Sequence, residues 1–87
     1  MDTIGQKFRK VKPIQNFLTP DVEGYFQKGN YICELSSGGE FCGKYIFGVS
    51  VINEQTMQYE EEKSKCFLHP NEEQAKNDAL NYIHNLG

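Results

Sequence analysis

Three successive stretches of alternating apolar residues, Val22–Phe26, Tyr31–Leu35 and Phe41–Val51, fall into register on one face when joined by the loops that their turn residues suggest. Gln27-Lys28-Gly29-Asn30 reads as a tight hairpin with Lys28 and Gly29 at its tip, because glycine and asparagine tolerate the positive φ of such turns. That pairing sets Phe26 opposite Tyr31, Gly24 opposite Cys33 and Val22 opposite Leu35. A loop over Ser36-Ser37-Gly38-Gly39-Glu40 then pairs Leu35 with Phe41, Cys33 with Gly43 and Tyr31 with Tyr45. A slip of one residue would set Glu34 against Phe41 and Leu35 against Glu40, so the hydrophobic pattern opposes it.

Across the middle of this expected sheet runs a row of small residues, Gly24, Cys33 and Gly43, where a helix axis could come close. The C-terminus supplies the helix. Pro70 disfavours helical geometry at His69, Asn71 can cap with Gln74 three positions on, and Glu72 and Glu73 suit the positive end of the helix dipole. Ala75, Ala79, Tyr82, Ile83 and Leu86 follow as one apolar stripe, with the alanines as natural partners for the small row. His84 suits the negative end of the dipole as a solvated side chain. Thr56–Phe67 reads as a further strand after a turn at 53–55, and its many charges mark it as a sheet edge.

The expected fold is α+β: one domain over 1–87, with an N-terminal arm (1–21), an antiparallel sheet of three to four strands (22–67) and a helix over 71–86 on one face. Within the arm, Thr3 and Gln6 have capping-box spacing and Ile4, Phe8 and Val11 helical spacing. Gly5 weakens that helix, and Pro13 ends it by position 12. Ile14, Phe17 and Leu18 could form one apolar turn before Thr19-Pro20. With 87 residues such a domain buries only somewhat more than ~60% of its unfolded surface, which leaves little stability to support an internal catalytic cavity. The sequence contains neither a bilayer-spanning apolar run nor a signal-peptide pattern, so a soluble, cytoplasmic protein without membrane contact is expected.

The three cysteines, an odd number, argue against a secreted disulfide framework and for free thiols at Cys33, Cys42 and Cys66. Cys66-Phe67-Leu68-His69 has a metal-like C-x-x-H spacing, but no second close pair completes a zinc site. Ser50 lacks a nucleophile motif, and the acidic run Glu60-Glu61-Glu62 is separated by strand alternation. The expectation is therefore no enzyme, no catalytic residue, no metal and no cofactor; a small enzyme or zinc-binding domain ranks third among the possible functions.

Charge is unevenly distributed. Lys7, Arg9, Lys10 and Lys12 lie in the arm, while residues 13–87 hold the other five basic residues and eleven of the twelve acidic ones. A basic arm can hold phosphate, which makes nucleic-acid binding through these four residues the second reading. The order helix, strands, helix is similar in layout to a double-stranded-RNA-binding domain over most of the chain. That family grips phosphates with a lysine-rich start to its last helix, whereas Asn71-Glu72-Glu73-Gln74-Ala75-Lys76 presents two glutamates.

The first reading is non-catalytic binding of another protein. On the other sheet face Tyr25 falls opposite Ile32 with Ile46 diagonal to it, and one C-terminal helix can cover only one face. Tyr25, Ile32 and Ile46, with the acidic Glu23 and Glu34 beside them, form the expected partner surface unless the arm folds over it. Small acidic one-domain chains without catalytic motifs look like the inhibitors that phages and plasmids direct against host defence or transcription enzymes. A homodimer is compatible with the same chain.

Overall fold

The computed structural model describes residues 3–11 and 21–86, apart from the side chains of Arg9 and Asp21. The expected turn at Ile14, Phe17 and Leu18 lies outside the described residues. The elements are α1 (Ile4–Val11), β1 (Asp21–Lys28), β2 (Tyr31–Phe41), β3 (Lys44–Asn53), β4 (Gln58–Tyr59), β5 (Lys65–His69) and α2 (Glu72–His84). The architecture is α+β, with an antiparallel sheet ordered β1-β2-β3 and an outer edge formed in two pieces by β4 and β5, both paired with β3.

Both hairpin turns lie further along the chain than the spacing predicts. The first is Gly29-Asn30, with positive φ at the glycine (59°), so Lys28 pairs with Tyr31 and Phe26 with Cys33. The second is Cys42-Gly43, both in the left-handed region at φ 53° and 79°, as a type I′ turn requires. Ser36 to Gly39 is therefore strand, with a bulge between Ser37 and Gly39, and Cys33 pairs with Val51 and Leu35 with Val49. The shorter pairing would have left Phe47, Val49 and Val51 beyond the end of β2; the longer one buries all three. Both turns shift the partners by an even number of residues, so side chains between the bulges keep their expected face, whereas the one-residue bulges beside Glu23 and Gly38 turn Val22 and Phe41 to the face opposite Leu35.

The small-residue row is absent. Gly43 sits in the turn and Gly24 pairs with Leu35, with the Phe26 ring folded over it. The small residues that allow close approach are on the helix instead: Ala75 and Ala79, with Ile83, pack onto Cys33, Leu35, Phe47, Val49 and Val51. At the helix start the Asn71 side chain accepts from the Gln74 backbone N–H at 3.0 Å, the expected cap.

Thr56–Phe67 does not form one strand. After β4 the chain makes a 3-10 turn over Glu61–Lys63, and the gap before β5 is bridged by Ser64, whose Oγ accepts from Val51 N–H and donates to the Glu60 carbonyl, each at 3.0 Å. A hydroxyl thus replaces one rung of the ladder.

The arm helix forms with the expected reciprocal capping box: Thr3 N–H donates to Gln6 Oε1 at 2.8 Å and Gln6 N–H to Thr3 Oγ1 at 3.2 Å. Helix α1 lies across the face opposite α2, where Phe8 closes over Ile32 and Ile52 with Ile4, Val11 and Tyr25 around them. This three-layer arrangement gives the chain two cores on either side of one sheet.

Candidate functional site

Helix α1 covers only part of the outer sheet face. Beyond it, alternation along the strands turns Ser36, Gly38, Ile46, Gly48, Ser50 and Cys66 towards the same side, and the register sets Ser36, Gly48 and Cys66 in one row across β2, β3 and β5. These residues, with Val49, Tyr59, Ser64 and Lys65, line a trough of about 370 Å³. Its floor is low because the side chains there are hydrogen, hydroxymethyl or thiol groups. Its surroundings are apolar and exposed: Leu68 (53%) stands opposite Ile46, Tyr59 (40%) opposite Ile52, Val22 (45%) beside Ser36 beyond a bulge in β1, and Phe41 (66%) at the mouth of the hairpin opposite Lys44. Four of the six large apolar side chains exposed among the described residues thus share one face with the depression, Tyr59 in its lining and Val22, Leu68 and Phe41 beyond it; scattered exposure would need no explanation, whereas a cluster of this kind marks a contact surface.

Gly48 matters to this shape. It lies mid-strand in β3, where glycine weakens a strand, yet its φ is not positive and a Cβ there would meet only Ser36 Oγ at 3.4 Å and Cys66 Sγ at 4.0 Å. Backbone geometry and packing would both admit alanine. The absence of a side chain deepens the trough without serving the fold.

The expected partner residues are distributed differently. Ile32 is fully buried beneath Phe8 and cannot touch a partner, because the arm occupies that part of the face. Tyr25 is half-buried in the same core. Ile46 does line the trough. Glu34 is half-buried and shares the outer face, one row from the floor, while Glu23 is exposed and lies 3.9 Å from Lys76 of α2. Ile46 and Glu34 share the outer face at separate rows, Ile46 in the trough lining and Glu34 opposite Ser50, and the structure adds Tyr59 and Leu68 to that face together with Val22 and Phe41, which the expected register had set on the other side.

Among the residues expected to meet nucleic acid, Lys7 forms an ion pair with Glu54 at 2.7 Å, and the other oxygen of that carboxylate accepts from Gln27 Nε2. Lys10 is exposed. Lys12 and the side chain of Arg9 lie outside the described residues. The carboxylate anchors α1 to the hairpin end of the sheet and neutralises one of the four arm charges.

The remaining chemistry is sparse. Strand alternation places Cys66 on the outer face and His69 on the other, and His69 Nδ1 accepts from the Asn71 N–H at 2.9 Å. Among the described residues no group of three or more His, Cys, Asp or Glu side chains could hold a metal ion. Cys33, Cys42 and Cys66 are free thiols, the first buried and the others exposed. Burial pushes the Cys33 thiol up from 9.0 to about 11 against a smaller opposing pull from Lys28. Beside Glu40, which attracts its hydroxyl proton by charge and by a hydrogen bond, Tyr45 is also raised. No described helix is long and apolar enough to cross a membrane. Compared with known proteins, the chain matches no family model, no curated protein and no solved structure.

Proposed function

We propose that this protein is a non-catalytic binding module that receives another protein on the open part of its outer sheet face. One observation carries the reading: Val22, Phe41, Tyr59 and Leu68 are exposed on the same sheet face as a trough floored by serine, glycine and cysteine instead of being dispersed over the surface. An apolar anchor from a partner, seated between Ile46, Leu68 and Tyr59, would be desolvated on the floor and ringed by contacts that exclude water, the arrangement of a binding hot spot. Inhibition of a host enzyme, of the kind encoded by phages and plasmids, is one form such binding takes in small acidic chains.

The test is capture from the source cell by the wild-type chain and by Leu68→Glu, with partners identified by mass spectrometry and folding verified by circular dichroism. Loss of one specific protein from the Leu68→Glu sample supports the reading. Identical capture by the two folded proteins, or recovery of nucleic acid alone, refutes it.

A further inference from the structure

The trough has a matching projection on the same molecule. Phe41 stands at the mouth of the β2–β3 hairpin, two-thirds exposed, with Lys44 directly across from it on the outer face. Five positions along β2, one of them taken up by the bulge, separate it from Ser36 on the floor, roughly 14 Å at ~3.4 Å per residue. A phenylalanine ring cannot span that distance onto the Ser36, Gly48 and Cys66 row of its own trough. We propose that the open face pairs with a second copy of this chain, each Phe41 entering the trough of the other; this rests on the same surface as the binding reading above.

Two relationships favour that occupant over others. The projection and the depression lie on one face and are displaced along one strand, so a two-fold axis between them satisfies both contacts at once, as an isologous interface requires. The charges also complement one another. Glu34 lies on the outer face one row beyond Ser36, and Lys44 accompanies Phe41, so seating Phe41 over the partner's floor brings Lys44 of one copy towards Glu34 of the other, twice by symmetry. Opposite charges placed in this way fix the register of a pairing. The contact involves far fewer than the roughly 20 to 30 residues a side of a standard interface, so association is weak and concentration-dependent, and a stronger protein partner displaces the second copy.

Sedimentation analysis across a wide concentration range tests this. The wild-type chain should shift from monomer to dimer as concentration rises. Phe41→Ser and Lys44→Glu, both at exposed positions, should each weaken the dimer at least tenfold, and Lys44→Glu combined with Glu34→Lys should restore it. A wild-type chain that stays monomeric at millimolar concentration, or dimers indifferent to Phe41→Ser and Lys44→Glu, would overturn the proposal. The two readings fail separately. A monomer that still loses its captured partner on Leu68→Glu leaves the binding function standing without the dimer, and a dimer whose capture ignores Leu68→Glu does the reverse.

Discussion

The Phe8 and Tyr25 rings lie 5.8 Å apart, centroid to centroid, and tilted by 55°, and the contact depends on a glycine one turn earlier. A Cβ on Gly5 would stand 3.1 Å from the Tyr25 ring. The residue that weakens α1 as a helix is thus what allows the ring against it, and local propensity yields to packing.

This relationship predicts a coupling. Gly5→Ala should gain up to about 1 kcal/mol of helix propensity, offset by pressure on the Tyr25 ring. In a Tyr25→Ala background the obstacle is gone and the full gain should appear. Urea denaturation of the four proteins of this cycle gives the interaction energy; strict additivity would show that the ring does not press on Gly5.

Two substitutions to glutamate on one sheet face should have opposite consequences. Ile32→Glu places a carboxylate in the Phe8 core and should prevent folding or cost several kcal/mol. Leu68→Glu, on a half-exposed side chain, should change stability by only about 0.5 kcal/mol. Thermal melts read both directly. Equal tolerance would mean that α1 does not cover Ile32.

Cys33 makes stability depend on alkaline pH. The folded state holds the thiol proton up to about pH 11, more tightly than the unfolded chain, so the associated stability is complete below pH 9 and is lost as pH rises through 11. The loss is on the order of 2 kcal/mol. Cys33→Ala should be less stable at pH 7, because it leaves a small cavity, but should have a flatter profile across this window. At neutral pH an alkylating reagent should modify Cys42 and Cys66 rapidly and Cys33 only on unfolding.

The glycines Gly43 and Gly48 should differ in tolerance. Gly43→Ala forces a side chain into φ 79° and should cost about 1–2 kcal/mol. Gly48→Ala should be neutral or mildly stabilising, since the Cβ meets only Ser36 and Cys66 at ordinary distances. A severe loss on Gly48→Ala would show that the glycine serves the fold.

Faces were legible where pairings were not. Alternation sets Cys33 and Leu35 on one side of β2 and Phe47, Val49 and Val51 on one side of β3, and any even shift of the register keeps the two sets together, so the core beneath α2 survives the misplaced hairpin; only Val22 and Phe41, beyond the bulges, change side. The caps at Thr3 and Asn71 were equally readable, because each depends on residues only three positions apart. Hairpin position was not. Ser36-Ser37-Gly38-Gly39 resembles a loop in composition, and nothing local announces that Cys42 will adopt a positive φ; the decisive energy is burial of Val49 and Val51 against β2, a non-local term. The bulges beside Glu23 and Gly38 were equally silent and hid Val22 and Phe41 as residues of the outer face, Leu68 lay beyond the expected strand, and the arm's cover over Ile32 depended on a short helix of ambiguous destination.

The hydroxyl of Ser64 also limits what the sheet can become. An unbroken outer strand can template further strands and seed a fibril. Here the outer edge is cut into a two-residue and a five-residue piece, and between them Val51 has its N–H and carbonyl satisfied within the chain. Growth from this side lacks a continuous ladder to copy, so a small protein that displays apolar side chains on one face is protected from polymerising along this edge of its sheet.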